Sequence, residues 1–445
     1  MKEKKRVLLV SPSNVAWTGA VTLPLNLAYL ASSLEEEDHE VKCIDMRVDK
    51  NIDMEKEIEN FDIVGISSCT PSIKEAWKVA NIAKKCRKTV ALGGPHPTAL
   101  PNESLQKDSA DIVVRGEGEI TIREICNGVN LRKIKGISFK AGKKIFHNVD
   151  RPFIQNLDSL PFPARDLFDL RKYHSSLHKN KIIGDILTSR GCPYGCNFCF
   201  KAIFGRYYRM RSPENVIKEW KQMIEMGIEE IGILDDNFTV DKERAIKICN
   251  EIKKQKLIVD WSAVGGIRVD SISKELFTAM KNAGCYRVAF GAESGSQNIL
   301  DKNCKGTKLE QIRDAVKLAK EFGFEITLFF MIGNLYENRE TMQKTIDFAK
   351  ELDPDFVQFT IATPYPGTAL YEIVKREGKL LVKDWEEYGS YEGKAYFEHG
   401  ELNKELVEGM YRKAYRDFYL RPRMVLKYIK NHKFEILKGF RFLTS

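Results

Sequence analysis

No run of eighteen apolar residues occurs anywhere in the 445-residue chain, so the sequence offers no helix able to span a bilayer. Cysteine is sparse, ten residues in all, which excludes a disulfide-stapled scaffold. The opening "MKEKKRVLLV" runs straight into a strand-like stretch rather than a signal sequence, so a reducing, cytosolic setting is expected. Neither a Gly-x-Gly-x-x-Gly nor a Gly-x4-Gly-Lys-Ser/Thr run follows any strand-like segment, which removes the usual signatures of a nucleotide site. There is no low-complexity tract and no internal repeat beyond a strand–helix alternation. Length and a 43% hydrophobic composition fit a chain of two or three domains with substantial cores.

Against that sparseness, three cysteines crowd into "SRGCPYGCNFCF" at Cys192, Cys196 and Cys199. Clustered thiols in a reducing compartment point to metal ligation, each thiolate being held by the ion. Structural zinc wants four ligands, commonly as two pairs some 12 to 20 residues apart. Here the next cysteine is Cys249, and no histidine lies between Cys199 and His399. Three thiolates with an open corner suit a 4Fe–4S cluster better than zinc.

Residues 184–370 alternate apolar strand-like runs ("GDILTS", "EIGILDD", "DWSAVGGIRV", "YRVAFGAES", "EITLFFMIG", "FVQFTIA") with amphipathic helical ones. Six strands joined by long crossovers must be parallel and curl into a barrel or part of one. In such barrels the chemistry sits at the carboxyl ends of the strands. The polar residues there are Cys192, Cys196 and Cys199 after the first strand, Asp235 and Asp236 after the second, Arg268 after the third and Glu293 after the fourth. A charged strand end is often only a solvated loop residue, but four consecutive strands delivering such groups to one rim define a candidate site.

Residues 1–130 hold five further buried-looking strands ("RVLLVSP", "EVKCIDM", "DIVGISSCT", "KTVALGGPHPT", "DIVVRGEGE") separated by helices. That pattern predicts a doubly wound, flavodoxin-like domain with its ligand at the strand carboxyl ends. The loops there supply small and hydroxylic residues: Ser11, Pro12, Trp17, Thr18 and Gly19; Ser67, Ser68 and Thr70; Gly93, Gly94, Pro95 and His96; Gly116, Glu117, Gly118 and Glu119. Residues 131–183 read as a connector and 371–445 as a small, mostly helical cap.

The Cys-x3-Cys-x2-Cys spacing, with Phe198 before the last cysteine, resembles the signature of the radical S-adenosylmethionine (SAM) enzymes. The N-terminal loops, in this order ahead of such a barrel, resemble the cobalamin-binding domain of the cobalamin-dependent members of that family. The resemblance spans residues 1 to about 370 and implies an open (βα)6 barrel, a 4Fe–4S cluster on the three cysteines, bound SAM and bound cobalamin. By resemblance, Asp235 or Asp236 meets the SAM amino group, Glu293 its ribose or methionine end, and Gly333 in "MIGNLYEN" its adenine. No histidine follows the Asp-x-His-x-x-Gly pattern, so cobalt without a histidine ligand is expected, and His96 belongs to the loop that cradles the nucleotide tail. Tyr365, in "TIATPYPGTALY", is the candidate catalytic residue facing the substrate.

The function implied is C-methylation of an unactivated carbon through a 5′-deoxyadenosyl radical and methylcobalamin, with a flavodoxin or ferredoxin as electron donor. Ring closure or carbon–carbon coupling shares every one of these motifs. Readings of another class are a tRNA methylthiotransferase, which needs a second cluster that the scattered Cys43, Cys69, Cys86 and Cys126 do not suggest, and a non-catalytic redox sensor. The chain carries a net charge of +9, and residues 411–445 hold ten Lys/Arg against Asp417 and Glu435. That basic, aromatic tail reads as a helix packed on the barrel, as peripheral contact with an anionic membrane and a lipid-like substrate, or, least favoured, as an RNA contact.

Overall fold

The computed structural model describes residues 3–13, 20–107, 109–175, 178–179, 182–389 and 393–430. Strands β1 (Arg6–Ser11), β2 (Glu40–Asp45), β3 (Ile63–Ser67), β4 (Thr89–Gly93), β5 (Ile112–Val114), β6 (Ile137–Ala141) and β7 (Lys144–His147) form one sheet in the order β2-β1-β3-β4-β5-β6-β7. The first five are parallel, in the flavodoxin-like arrangement expected from the sequence. The alternation of side chains along β1 shows why. Val7 and Leu9 pack with Leu27, Ala28 and Ala31 on one face, while Leu8 and Val10 pack with Ile73, Ala76 and Trp77 on the other. A strand apolar on both sides needs a helix layer on each. The hairpin β6–β7, at the start of the connector, adds two antiparallel strands beyond β5.

The second sheet contains β8 (Ile183–Ile186), β9 (Glu230–Ile233), β10 (Asp260–Ile267), β11 (Cys285–Glu293), β12 (Glu325–Ile332) and β13 (Phe356–Ile361). All six are parallel and lie in chain order, the partial (βα)6 barrel anticipated above. An unclosed barrel leaves two strand edges with unpaired backbone groups. At β13 the helix Lys404–Tyr419 supplies the missing partners. Tyr415 Oη accepts from Phe359 N at 3.2 Å and donates to Phe359 O at 2.8 Å, and Tyr419 Oη does the same with Val357 N and O at 3.0 and 2.6 Å. At β8 the connector closes the edge: Arg165, from "LDSLPFPARDLF", donates to Asp185 O at 2.6 Å.

Arg165 is also half of a buried ion cluster. It donates to Glu219 Oε1 at 2.5 Å, and Arg211 holds the other oxygen of the same carboxylate. Glu219 is fully buried, and both arginines are at most 5% exposed. The connector is thus locked to the barrel by charge.

The cap helices pack on the open side of the barrel. At the start of the basic tail, Arg421 donates to Asp353 Oδ1 at 3.1 Å, Arg423 pairs with the same carboxylate, and Lys427 pairs with Asp355. This part of the tail docks on the barrel, while residues 431–445 lie outside the described residues. Among the described residues no helix is long and apolar enough to cross a membrane.

Removing Glu219 would leave two buried guanidinium groups uncompensated, a cost of about 3–5 kcal/mol. Glu219→Ala is therefore expected to lower the urea midpoint of barrel unfolding by that equivalent, and a loss below about 1 kcal/mol would contradict the assignment.

Candidate active site

The three cysteines sit on a loop whose shape is imposed from below. Asp235, after β9, is 1% exposed and accepts from Thr188 N at 2.6 Å, Thr188 Oγ1 at 2.6 Å and Ser189 Oγ at 2.5 Å. Its carboxylate is spent on anchoring the chain as it leaves β8. Gly191 follows with φ of 85°, and a Cβ there would come within 2.4 Å of Tyr207 O, so only glycine fits. Pairing of Ser189–Arg190 with Arg209–Met210 closes the loop, and Cys192 N donates to Gly205 O at 3.4 Å.

Within the loop, Cys199 N donates to Cys196 O at 3.4 Å. The two thiols are hydrogen-bonded to each other. The hydrogen bond from Cys199, helped by Lys305 and Lys201 against burial, pulls Cys196 down to about 6, and Cys199 is pushed up in return. A thiolate is the form that binds iron. Among the described residues no trio of His, Cys, Asp or Glu already has metal-binding geometry. The donor chemistry nevertheless fits a cluster: three thiols on one loop, one already favoured as thiolate by its hydrogen bond from Cys199 and, secondarily, by Lys305 and Lys201.

The other strand ends separate into those that face this loop and those that only support it. Arg268 lies 3.5 Å from the Tyr194 ring centroid, donates to Lys305 O at 2.9 Å and grips Asp270 at 3.0 and 2.8 Å. It is a strut rather than an open ligand group. Glu293 ends β11 at a register shift, with φ of 63°, a left-handed conformation that costs a non-glycine residue about 1–2 kcal/mol. Its Oε1 accepts from Lys305 Nζ at 2.7 Å. Burial would lower the Lys305 pKa, but Glu293 and Cys196 raise it above its ordinary value, so the ammonium stays charged beside the cluster loop. Gly291 makes room for this pair, since a Cβ would meet Glu293 Oε1 at 2.4 Å and Lys305 Nζ at 2.8 Å. No sequence signal marked Lys305; it lies in "NCKGT", a loop with no motif of its own.

Asp236 differs from its neighbour. One oxygen accepts from Gly191 N at 3.1 Å, but the carboxylate is exposed into a cavity of about 740 Å³. The sequence left the two aspartates undivided; the structure makes Asp235 an anchor and Asp236 the accessible group. Gly333 has φ of 77°, and a Cβ there would strike Val407 of the cap at 2.8 Å. Beside it, Glu337 is 2% exposed and accepts from Asn334 N at 2.8 Å. Asn334 Oδ1 in turn accepts from Asn303 Nδ2 at 2.8 Å, and Asn303 O accepts from Asn197 N, inside the cysteine loop, at 3.2 Å. Sequence reading missed this relay because asparagine is common in loops.

The cavity joins the two domains. One wall is Cys192, Cys199, Lys201, Gly205 and Asp236; the other is Ser11, Pro12, Ser67, Ser68, Gly93, Gly94, Pro95, Gly116, Glu117, Gly118 and Glu119. Eleven of the cobalamin-loop residues proposed from sequence therefore line one space. Trp17, Thr18 and Gly19 lie outside the described residues.

Other residues expected at the site are engaged elsewhere in the fold. His96 is 1% exposed and turned away from the cavity, with Nδ1 3.2 Å from Thr70 Oγ1, Nε2 3.2 Å from Glu103 Oε2, and Trp385 edge-on at 5.1 Å. Both it and Thr70 support the loop from behind, because their polar atoms satisfy each other. Glu117 and Glu119 touch the cavity, but Arg190 donates to them at 2.8 and 2.6 Å and Arg209 to both oxygens of Glu117 at 2.9 Å, which leaves Glu119 Oε2 as the one oxygen of the four without a partner among the described residues. Phe198 packs against the barrel core, and Tyr365 leans on Tyr388 at 6.0 Å; neither lines the cavity.

Residues 186–349 match the family model of the radical SAM superfamily, and residues 14–126 match the B12-binding domain. A Pyrococcus horikoshii protein named as an uncharacterised methyltransferase is 41% identical, the match covering all of this chain and 98% of that one. The chain belongs to the cobalamin-dependent radical SAM enzymes. The cytidylyl-2-hydroxyethylphosphonate methyltransferase of Streptomyces wedmorensis is 29% identical over 84% of this chain and 82% of its own. The solved structure of the cobalamin-dependent SAM radical enzyme OxsB, with aqua-cobalamin and SAM bound, shares the fold at a TM-score of 0.78 and 20% identity, covering 97% of this chain and 71% of that one. The cofactors of this radical SAM enzyme are a 4Fe–4S cluster, SAM and cobalamin.

Burial raises the Glu337 carboxyl to about 8, against the hydrogen bonds from Asn334 and Gly333 that favour its charged form. A carboxyl neutral in the fold and charged when unfolded favours folding below its unfolded value and loses that support as pH rises toward about 8. Glu337→Gln should therefore flatten the fall in stability between pH 5 and pH 8, measured by urea unfolding across that range. An unchanged slope would mean that Glu337 is ionised throughout.

Proposed function

We propose that this radical SAM enzyme transfers a methyl group to an unactivated carbon of a small-molecule substrate. One observation carries the reading: the cysteine loop and the cobalamin-domain loops open into a single cavity rather than two. When bound, the cluster and SAM supply a 5′-deoxyadenosyl radical, and cobalamin supplies the methyl group. The protein's task is to hold these parts in contact and dry.

Its residues suit that task. Cys192, Cys196 and Cys199 hold the cluster, and Lys305 keeps positive charge against Cys196. Asp236 is the carboxylate free to receive the amino group of SAM, and Glu293, set by its left-handed backbone and Lys305, is placed for the other end of that molecule. Ser11, Ser67, Ser68, Gly93, Gly94 and Gly116 offer hydroxyls and bare backbone to cobalamin. At Gly94 the fit is tight, because a Cβ would lie 2.6 Å from Ser68 O. Among the described residues no histidine lines the cavity, His96 being engaged on both ring nitrogens. A flavodoxin or ferredoxin would deliver the electron.

A second cluster of the methylthiotransferase kind finds no support. Cys43 is buried in β2, Cys126 is buried at the end of a helix, Cys86 caps another, and only Cys69 reaches the cavity.

The test is anaerobic reconstitution with iron, sulfide and hydroxocobalamin, then incubation with SAM, reductant and a small-molecule extract, with products resolved by mass spectrometry. Methylation predicts a compound heavier by one CH2, appearing with both 5′-deoxyadenosine and S-adenosylhomocysteine. Substrate turnover that yields 5′-deoxyadenosine without S-adenosylhomocysteine would replace methylation with cyclisation or coupling.

A further inference from the structure

The two faces of the barrel sheet are filled differently. On the helix side, Trp261, Val288, Ile326 and Val357 are buried in the main apolar core. On the lumen side a polar row crosses the strands in register: Asp185 of β8 lies beside Gly232 of β9, followed by Ser262 of β10, Arg287 of β11 and Glu325 of β12. A Cβ on Gly232 would lie 2.5 Å from Asp185 Oδ1 and 3.6 Å from Val264 Cγ2, which places this carboxylate over bare backbone inside the barrel. Thr327 stands two residues beyond Glu325 and so shares its face.

The row is buried yet unsatisfied. Asp185 is 3% exposed and accepts no hydrogen bond on its carboxylate among the described residues; burial, only partly offset by His178 and Arg165, raises its carboxyl to about 6. Ser262 Oγ, Thr327 Oγ1 and Arg287 Nη1 also lack partners there, while Nε and Nη2 of the same guanidinium are held by Glu325. Buried polar groups are normally paired, so four orphans on one face of one sheet point to a missing occupant. Above them the lumen is open, for Val264, Phe329, Gln358 and Thr360 lie mid-strand and are only half-buried. Leu187 and Leu234, each two residues on from Asp185 and Gly232, line the cavity of about 740 Å³, so the row and the cavity lie along one surface.

We infer that this row anchors the substrate, and that the substrate is a polar molecule whose amino group is received by Asp185 and whose nearby oxygens are received by Arg287 Nη1, Ser262 and Thr327. Charge decides the class. Arg287 and Glu325 pair with each other, which leaves Asp185 as the uncompensated ion of the row; a cation is favoured beside it and an anion repelled. A hydrocarbon would leave all four groups unpaired, which counts against a lipid-like substrate. From Ser262 to Ile267, at the rim, β10 advances by about 16 Å along the strand, or about 13 Å along the barrel axis at the usual tilt. The amine therefore lies about 13 Å from the reacting carbon, a separation found in molecules of dipeptide or nucleoside size. The inference rests on the proposed methylation only in placing that carbon at the rim.

The experiment is saturation-transfer NMR on the reconstituted holoenzyme, oxidised and without reductant, with three probes of one chain length: aminohexanol, hexanediol and adipate. The amino alcohol should receive saturation, and the diol and the dianion several-fold less. Asp185→Asn, which removes the charge and keeps the shape, should bring the amino alcohol down to the level of the diol. Thr327→Val should weaken it several-fold, with iron and cobalamin contents unchanged in both variants. Asp185→Asn should also hold or raise the urea midpoint, because no donor within the protein depends on the lost charge. Equal transfer to all three probes, transfer indifferent to Asp185→Asn, or no transfer at all, as for a lumen holding only water, would overturn the inference. A midpoint lowered by Asp185→Asn would assign the carboxylate to folding and overturn it equally. No probe needs turnover, so a failure of methylation in the reconstitution assay would sink that reading and leave this result standing.

Discussion

The molecule depends on one buried cluster of charge, in which Glu117 and Glu119 from the loop after β5 hold Arg190 and Arg209 from the hairpin that frames the cysteines. All four side chains are at most 7% exposed. Burying them costs several kcal/mol per ion in lost hydration, and only mutual pairing recovers it. Because the carboxylates belong to one domain and the guanidiniums to the other, separating the domains would strand four charges. Ile154 N, donating to Glu117 Oε2 at 2.8 Å, and Ile154 O, accepting from Arg209 at 2.7 Å, bind the connector into the same knot. The cavity between the N-terminal domain's loops and the cysteine loop has a fixed width because this knot does.

The barrel is finished by similar means. An open six-stranded sheet would expose the outer edges of β8 and β13, and the chain covers them with Arg165 from before the barrel and Tyr415 and Tyr419 from after it. The flanking segments are thereby part of the catalytic fold. A notch on the N-terminal domain receives the cap as well: Trp385 donates to Glu103 at 2.9 Å and meets the His96 ring, directly behind the loop Gly93–Pro95 that lines the cavity. The cap therefore supports the N-terminal wall of the cavity through its packing, while its tyrosines support the barrel.

The strands, their parallel direction and the cysteine loop were legible in the sequence because period and spacing are local properties. The loops after the first-domain strands were also legible as ligand loops, and most of their residues do line one cavity. What could not be read was which polar group is spent inside the protein and which remains open. Asp235 and Asp236 are adjacent and chemically identical, and only the position of Thr188 and Ser189 consumes the first. Glu117 and Glu119 looked like ligand groups until their partners, some seventy residues or more away in the chain, were placed against them. His96 and Tyr365 have residue types that suggest chemistry but lie in aromatic packing with Trp385 and Tyr388. Lys305 and Glu337 were invisible because their importance comes wholly from burial beside the cysteine loop.

The central claim is that cobalamin and the cluster occupy opposite walls of one cavity fixed by the buried charge cluster. Electron paramagnetic resonance of holoenzyme carrying both cob(II)alamin and the reduced cluster tests it most directly. The account predicts that each signal is broadened or split by dipolar coupling to the other, and that the coupling is lost in Glu117→Ala while iron content is retained. Spectra that simply superimpose those of the two isolated centres in the wild-type protein would contradict it.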